Sequence, residues 1–96
     1  MSPNNKKKLN ILRKKLDLID NKLLMIIKKR SNLVNQVLNV KVYKKEIIDK
    51  TRIKLILRKI KKRSIKEKID PKITHRIWKN MIWSFIDYEK RNFKKK

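Results

Sequence analysis

Four cations and one carboxyl group interrupt or flank the apolar patterns of this sequence. They are Arg13, Arg30, Lys41, Arg52 and Glu89. The chain has no Gly, no Cys and a single His, so it has neither a glycine-rich phosphate loop nor a thiolate nucleophile, and no metal site is expected. It also lacks a Ser nucleophile with a partnered base and a pair of carboxylates suited to acid–base work. Several cations with one carboxyl suit a reaction that binds a dianion and stabilises developing negative charge.

A long first helix is predicted by a heptad repeat. No Gly or Pro interrupts residues 4–70, so nothing breaks a helix there. Of the ten a and d positions, nine are apolar, namely Leu9, Leu12, Leu16, Ile19, Leu23, Ile26, Leu33, Val37 and Val40. We predict one helix over residues 6–42, roughly 55 Å long. A second copy of the chain is the simplest partner for so long an apolar stripe.

Arg30 occupies the one a/d position that is not apolar. A buried guanidinium is costly unless it is paired, so the alternatives are an ion pair with an internal acid or a side chain that reaches out to water. Arg13 and Lys41 both fall at heptad position e. Lys41 lies about 16 Å beyond Arg30 on nearly the same face, whereas Arg13 lies about 25 Å before it. Arg13 could therefore share a ligand with Arg30 only from an antiparallel partner helix; alone, Arg13 or Lys41 could simply be a solvated flank.

Two shorter helices are predicted after the first. The second covers residues 47–64, and Arg52 falls in a gap on its inner face, which consists of Ile48, Leu55, Ile56 and Ile60. Asp70 and Pro71 suit the N-cap and first position of a third helix over residues 71–93. Its inward side chains are predicted to be Ile73, Ile77, Trp78, Met81, Ile82, Phe85 and Ile86. No segment shows strand-like alternation, and the predicted fold class is all-α.

Glu89 is the polar exception on the third helix. It stands four residues after Phe85 and seven after Ile82, which places it on the apolar face. Burial favours the neutral form of such a carboxyl group, which could then donate a hydrogen bond. An ion pair with a neighbouring Lys is the alternative.

These residues and spacings resemble the all-helical chorismate mutases. The segment LNILRKKLDLIDNKLLMIIKKRSNLVNQVLNVK is similar to the family's first helix, most closely over residues 16–30. The ending IWKNMIWSFIDYEKRNF resembles short members related to isochorismate-pyruvate lyases, as does the 11-residue step from Lys41 to Arg52. The resemblance covers nearly the whole chain.

The resemblance implies a single domain over residues 1–96 and an intertwined homodimer with two equivalent sites. It implies conversion of chorismate to prephenate in aromatic amino-acid biosynthesis, without a cofactor. By position, Arg13 would come from the partner subunit and bind a substrate carboxylate with Arg30 and Arg52. Lys41 and a protonated Glu89 would donate to the ether oxygen. Many members carry Gln at the position of Glu89 and Glu at the position of Ile53, where an acid contacts the substrate hydroxyl.

The charge of the chain supports a different alternative. Its formal net charge is +23, from 31 Lys and Arg against 8 acids, which is typical of proteins that bind nucleic acid without sequence preference. The cations at outward positions include Lys14, Lys15, Lys22, Lys29, Lys62 and Lys66. Codon bias toward A and T would also enrich Lys.

The longest apolar run, residues 23–27, is too short to span a bilayer, so a cytoplasmic protein is expected. An isochorismate-pyruvate lyase is a second alternative.

Overall fold

The computed structural model describes residues 1–94, which form three α-helices and one short 3₁₀ helix. Helix α1 spans Pro3–Val40, the 3₁₀ helix Lys44–Ile47, α2 Lys50–Lys66 and α3 Pro71–Asn92. No strand occurs in the part of the chain that the structure describes, and the predicted all-α class with three helices is confirmed. Residues 95 and 96 of the predicted domain lie outside the described residues.

The chain divides into two compact units, of which the first is Met1–Leu33. This unit is helical from Pro3 onward. The Ser2 hydroxyl accepts a hydrogen bond from the backbone N–H of Asn5 at 3.2 Å, so Ser2 caps the helix. The helix therefore begins at Pro3, three residues before the predicted start. The apolar heptad side chains of the unit are largely exposed, including Leu12, Leu16, Ile19, Leu23, Ile26 and Leu33.

The second unit begins at Val34 and contains the described hydrophobic core. The core consists of Leu38, Ile47, Ile82 and Ile86, with Ile53, Ile56, Leu57 and Phe93 packed against it. Leu38 is 8% exposed although it is not a heptad a/d residue, whereas the a/d residues Val37 and Val40 are 48% and 76% exposed. The last turns of α1 therefore bury a different face from the one that the heptad marks.

Helix α2 begins later than predicted, and its buried face agrees with the predicted one except at Leu55. The Asp49 carboxylate accepts a hydrogen bond from the backbone N–H of Arg52 at 2.9 Å, which makes Asp49 the N-cap. Ile48 precedes the helix in extended backbone, but it packs against the core as predicted, as does Ile56, and Ile60 is half-buried. Ile53 and Leu57 pack against the core, while Leu55, which we predicted to face inward, is exposed.

Helix α3 begins as predicted, because the Asp70 carboxylate accepts the backbone N–H of Lys72 at 2.9 Å and Pro71 opens the helix. Its buried face includes Thr74, Ile82, Ile86 and Glu89. Trp78, Met81 and Phe85 are half-buried. The predicted inward orientation of Ile73 and Ile77 is wrong, since both are exposed.

Helices α2 and α3 are joined by a tight turn and a buried pair of hydroxyl groups. The Ser64 and Thr74 hydroxyls lie 2.7 Å apart. After α2, the backbone N–H of Ile69 donates to the Ser64 carbonyl at 2.8 Å and that of Lys68 to the Ile65 carbonyl at 3.1 Å. This Schellman motif places Lys68 in the left-handed region, at φ 58°. A side chain with a Cβ is unfavourable in that conformation, which glycine adopts without strain.

We therefore expect Lys68→Gly to stabilise the protein by about 0.5 to 1 kcal/mol, because relief of the left-handed strain exceeds the added entropy of the unfolded chain. Urea unfolding at a fixed protein concentration measures the change. The matched control is Lys62→Gly inside α2, which should destabilise by about 1 kcal/mol. Equal destabilisation by both substitutions would contradict the strain at Lys68.

Candidate functional site

A buried ion pair joins the residue after α1 to the last turns of α3. The Lys41 ammonium donates to both carboxylate oxygens of Glu89, at 3.3 and 3.1 Å. The two side chains are 17% and 7% exposed. The structure thus brings together two of the five predicted site residues, which stand 48 positions apart in the chain. Glu89 is on the buried face as predicted. It forms an ion pair with a Lys, which was the alternative to a neutral carboxyl group, and that Lys is the one that the resemblance assigns to the same site.

A second long-range hydrogen bond connects α3 to the end of α1 through Tyr88, the residue before Glu89. The Tyr88 hydroxyl donates to the Asn35 side-chain oxygen at 2.7 Å. Asn35 lies on the same part of α1 as the buried Leu38, so two polar contacts and one apolar contact connect the end of α1 to the rest of the second unit. Sequence reasoning missed Asn35 and Tyr88. The heptad assigns Asn35 to an outward position, and no motif marks a single Asn–Tyr contact.

The loop after Lys41 is stabilised by Glu46. One Glu46 carboxylate oxygen accepts the backbone N–H groups of Val42 at 3.1 Å and Tyr43 at 2.7 Å. An open cavity of ≈ 520 Å³ adjoins this loop, and Lys41 and Asp49 are among its lining residues. Lys41 therefore pairs with Glu89 and also lines a cavity large enough for a small molecule, although Glu89 is not among the residues that line it.

Arg52 lies in the first turn of α2 and is exposed, so its predicted position on the inner face of that helix is wrong. The reason is the phase of α2, whose buried side passes through the next residue, Ile53. Ile53 packs against the hydrophobic core and offers no polar atom. No hydrogen bond within residues 1–94 joins the Arg52 side chain to Lys41 or Glu89.

Arg13 and Arg30 both lie in the first unit, on α1. Arg13 is exposed, and Arg30 is half-buried. The step of 17 positions from one to the other corresponds to about 25 Å along the helix axis. A small dianion spans much less than this distance, so one copy of α1 cannot bind it with both guanidinium groups.

The described residues show neither a metal cluster nor a membrane span. No group of three or more His, Asp or Glu within residues 1–94 could hold a metal ion. Over the same residues, no helix combines the length and the apolarity needed to cross a bilayer.

A comparison with protein families matches this sequence to a known family. The model described as "Chorismate mutase type II" matches residues 12–90, which include all five predicted site residues. The chain belongs to the chorismate mutase type II family. A search of curated proteins and a search of solved structures gave no match.

The ion pair of Lys41 with Glu89 leads to a prediction about the free energy of unfolding. Lys41→Met should destabilise the fold by about 3 kcal/mol, because it leaves a buried carboxylate without its partner. Glu89→Gln should cost less, about 1 kcal/mol, since the amide oxygen still accepts from Lys41. Chemical denaturation of wild type, both single variants and the double variant measures these changes.

In the double variant no buried charge lacks a partner, so its loss of stability should be smaller than the sum of the two single losses. Strictly additive losses would mean that the two side chains do not interact in solution.

Proposed function

We propose that this protein is a chorismate mutase, which rearranges chorismate to prephenate. The observation that carries the proposal is the buried contact of Lys41 with Glu89 in a chain of the type II family. In the structure the Lys41 ammonium donates to the Glu89 carboxylate. Glu89 has to be protonated in the substrate complex, where both side chains would donate to the ether oxygen. Two donors that meet at one point suit the stabilisation of a single oxygen atom.

The proposed reaction takes place within one substrate molecule. The ether C–O bond breaks while a C–C bond forms between the enolpyruvyl carbon and the ring, and no atom is gained or lost. Negative charge builds on the ether oxygen as its bond breaks. The protein has to hold the reactive conformation and stabilise that charge, so neither a covalent intermediate nor a cofactor is needed. In this proposal Lys41 and protonated Glu89 donate to the ether oxygen.

The arginines would bind the two carboxylates of the substrate. A guanidinium group presents paired N–H donors that match a carboxylate in a bidentate arrangement. We assign this role to Arg30 and Arg52, with Arg13 contributed by the partner subunit. Because Arg13 and Arg30 are about 25 Å apart on one helix, a shared substrate requires a second α1. Recognition of the ring hydroxyl remains without an assigned acid, since Ile53 packs in the core.

A homodimer follows from the same proposal. The a/d side chains of α1 are exposed, and a monomer rarely leaves an apolar stripe of this length in water. The core of the second unit uses Leu38 instead, so the stripe is available to a second copy of α1. A dimer with two-fold symmetry then has two equivalent sites. The cytoplasmic location expected from the sequence stays a prediction.

The alternative activity is that of an isochorismate-pyruvate lyase, which the C-terminal segment resembles. Both reactions break the same kind of ether bond in a dianionic substrate, and the same cations would serve either one. The products separate them. Prephenate from chorismate supports the mutase, whereas pyruvate and salicylate from isochorismate support the lyase.

The direct experiment follows the loss of chorismate absorbance with purified protein between pH 5 and 8. We expect turnover by the wild type and almost none by Arg13→Ala or Arg52→Ala. An equal mixture of these two variants, unfolded and refolded together, should recover about a quarter of the wild-type activity. Half of the dimers would be mixed, and in each of those one of the two equivalent sites would have a full set of arginines.

The matched control for subunit mixing is Arg30→Ala with Arg52→Ala. Both residues are assigned to the same subunit at each site, so no mixed dimer contains an intact set and activity should stay absent. Recovery in this control would contradict the assignment of Arg13 to the partner. A wild type without turnover of chorismate would contradict the proposed function itself.

If Glu89 donates to the ether oxygen, its replacement by Gln and its replacement by Ala should change the catalytic rate differently. Glu89→Gln should retain activity because the amide N–H₂ can donate to the ether oxygen. Glu89→Ala should lose about 2 to 4 kcal/mol of transition-state stabilisation, the usual loss for one donor to a developing anion. Initial rates across the pH range, with circular dichroism as the folding control, measure both effects. A Gln variant as inactive as the Ala variant would show that Glu89 only positions Lys41.

A further inference from the structure

Helix α2 has an unusual charge composition for a helix of this protein. Nine of its 17 residues are Lys or Arg, and none is Asp or Glu. Helix α1 has ten cations and two acids in 38 residues, and α3 has five cations and two acids in 22. The positive charge of the chain is therefore densest on α2, and there it has no acid interspersed.

The acids elsewhere in the second unit leave the cations of α2 unneutralised. Asp49 and Asp70 cap helices, Glu46 binds backbone N–H groups, and Glu89 pairs with Lys41. Asp87 pairs with Arg91 on α3. Glu67 pairs with Arg63, and this is the one ion pair of an α2 cation within residues 1–94.

The packing of α2 directs these cations away from the fold. Its apolar side, with Ile53, Ile56 and Leu57, packs against the core. On the opposite side, Lys59, Lys62 and Lys66 are exposed and follow one another at spacings of three and four residues, so they lie along one strip of the helix. The strip borders an open concavity of ≈ 670 Å³, which Arg63 also lines. We call the strip of Lys59, Lys62 and Lys66 the α2 basic strip.

We propose that the α2 basic strip binds the phosphate backbone of double-stranded nucleic acid without reading its sequence. Nine cations over 17 residues give about one positive charge per 2.8 Å of helix axis, against about one phosphate per 1.7 Å of a duplex. The strip itself contains three of these cations, about 4.5 to 6 Å apart along the helix axis, so each can contact a different phosphate, and contacts with phosphates carry no sequence information. This role goes beyond the proposed catalysis and does not depend on it.

Two other polyanions fit α2 less well. A helix that lies on an anionic membrane inserts its apolar face, but the apolar face of α2 is occupied by the core. Proteins that bind single-stranded nucleic acid stack its bases on aromatic side chains, and α2 has no aromatic residue. Binding to the phosphates of a duplex requires neither a free apolar face nor aromatic side chains.

The test measures binding of the full chain to a fluorescently labelled 20-base-pair duplex of random sequence, across a series of salt concentrations. For the wild type, we expect a plot of log affinity against log salt with a slope of about −4 or steeper. Lys59→Gln, Lys62→Gln and Lys66→Gln together should make the slope shallower by about 2 to 3, since each lost phosphate contact removes about 0.9. Gln keeps the helix propensity of Lys nearly unchanged.

The matched control replaces Lys14, Lys22 and Lys28, three exposed lysines of α1, with Gln. It removes the same net charge, so it should leave the slope within about 0.5 of the wild type. Both triple variants should retain wild-type helicity and wild-type turnover of chorismate, which separates this proposal from the proposed function. An equal change of slope in both variants would overturn the α2 basic strip as the site. So would absence of duplex binding at about 50 mM salt, tighter binding to the single strand, or binding only to vesicles that contain phosphatidylserine.

Discussion

The buried ion pair of Lys41 with Glu89 is the constraint on which the second unit of this protein depends. A carboxylate that is 7% exposed is strongly destabilising unless a cation or several donors satisfy it, and Lys41 supplies the cation from the opposite end of the unit. The pair therefore determines where the chain leaves α1 relative to the last turns of α3. The hydrogen bond of Tyr88 with Asn35 and the burial of Leu38 restrict the same two segments. Three contacts of different kinds thus position one ammonium group beside one carboxyl group.

This arrangement determines which apolar side chains remain for other contacts. The end of α1 uses Leu38 for the core of the second unit, and this leaves Val37 and Val40 exposed. The heptad stripe of the first unit is exposed as well. Exposed Leu and Ile side chains over so many turns favour association, because each one that is fully buried contributes about 1.5 to 3 kcal/mol. The same association would bring an Arg13 from one copy to the site of another, so the proposed assembly and the proposed chemistry have a common origin.

The charged side chains of the second unit also differ in their roles, since the acids are engaged within the fold and most cations are not. The acids of the second unit are engaged in caps, backbone contacts and ion pairs, each at a defined place in the fold. The cations far outnumber them, so most cannot be paired within the chain and have to be solvated or bound by an external anion. In the proposed site a few of these cations bind a small dianion, and on α2 an uninterrupted group of them forms the surface that we assign to nucleic acid.

The sequence by itself determined the elements of the fold and the membership of the family. Three helices, the cap at Asp70 and Pro71, and the burial of Glu89 all follow from local preferences and from spacing within one helix. Tertiary structure decided the rest. Apolar periodicity gives the angle of a side chain about its own axis, but it does not say which neighbour covers which face. For this reason Leu38 is buried in place of the heptad residues, and Ile53 faces inward while Arg52 is exposed. The contact of Glu89 with Lys41 joins residues 48 positions apart, and only the packing of α3 beside the end of α1 brings such distant charges together.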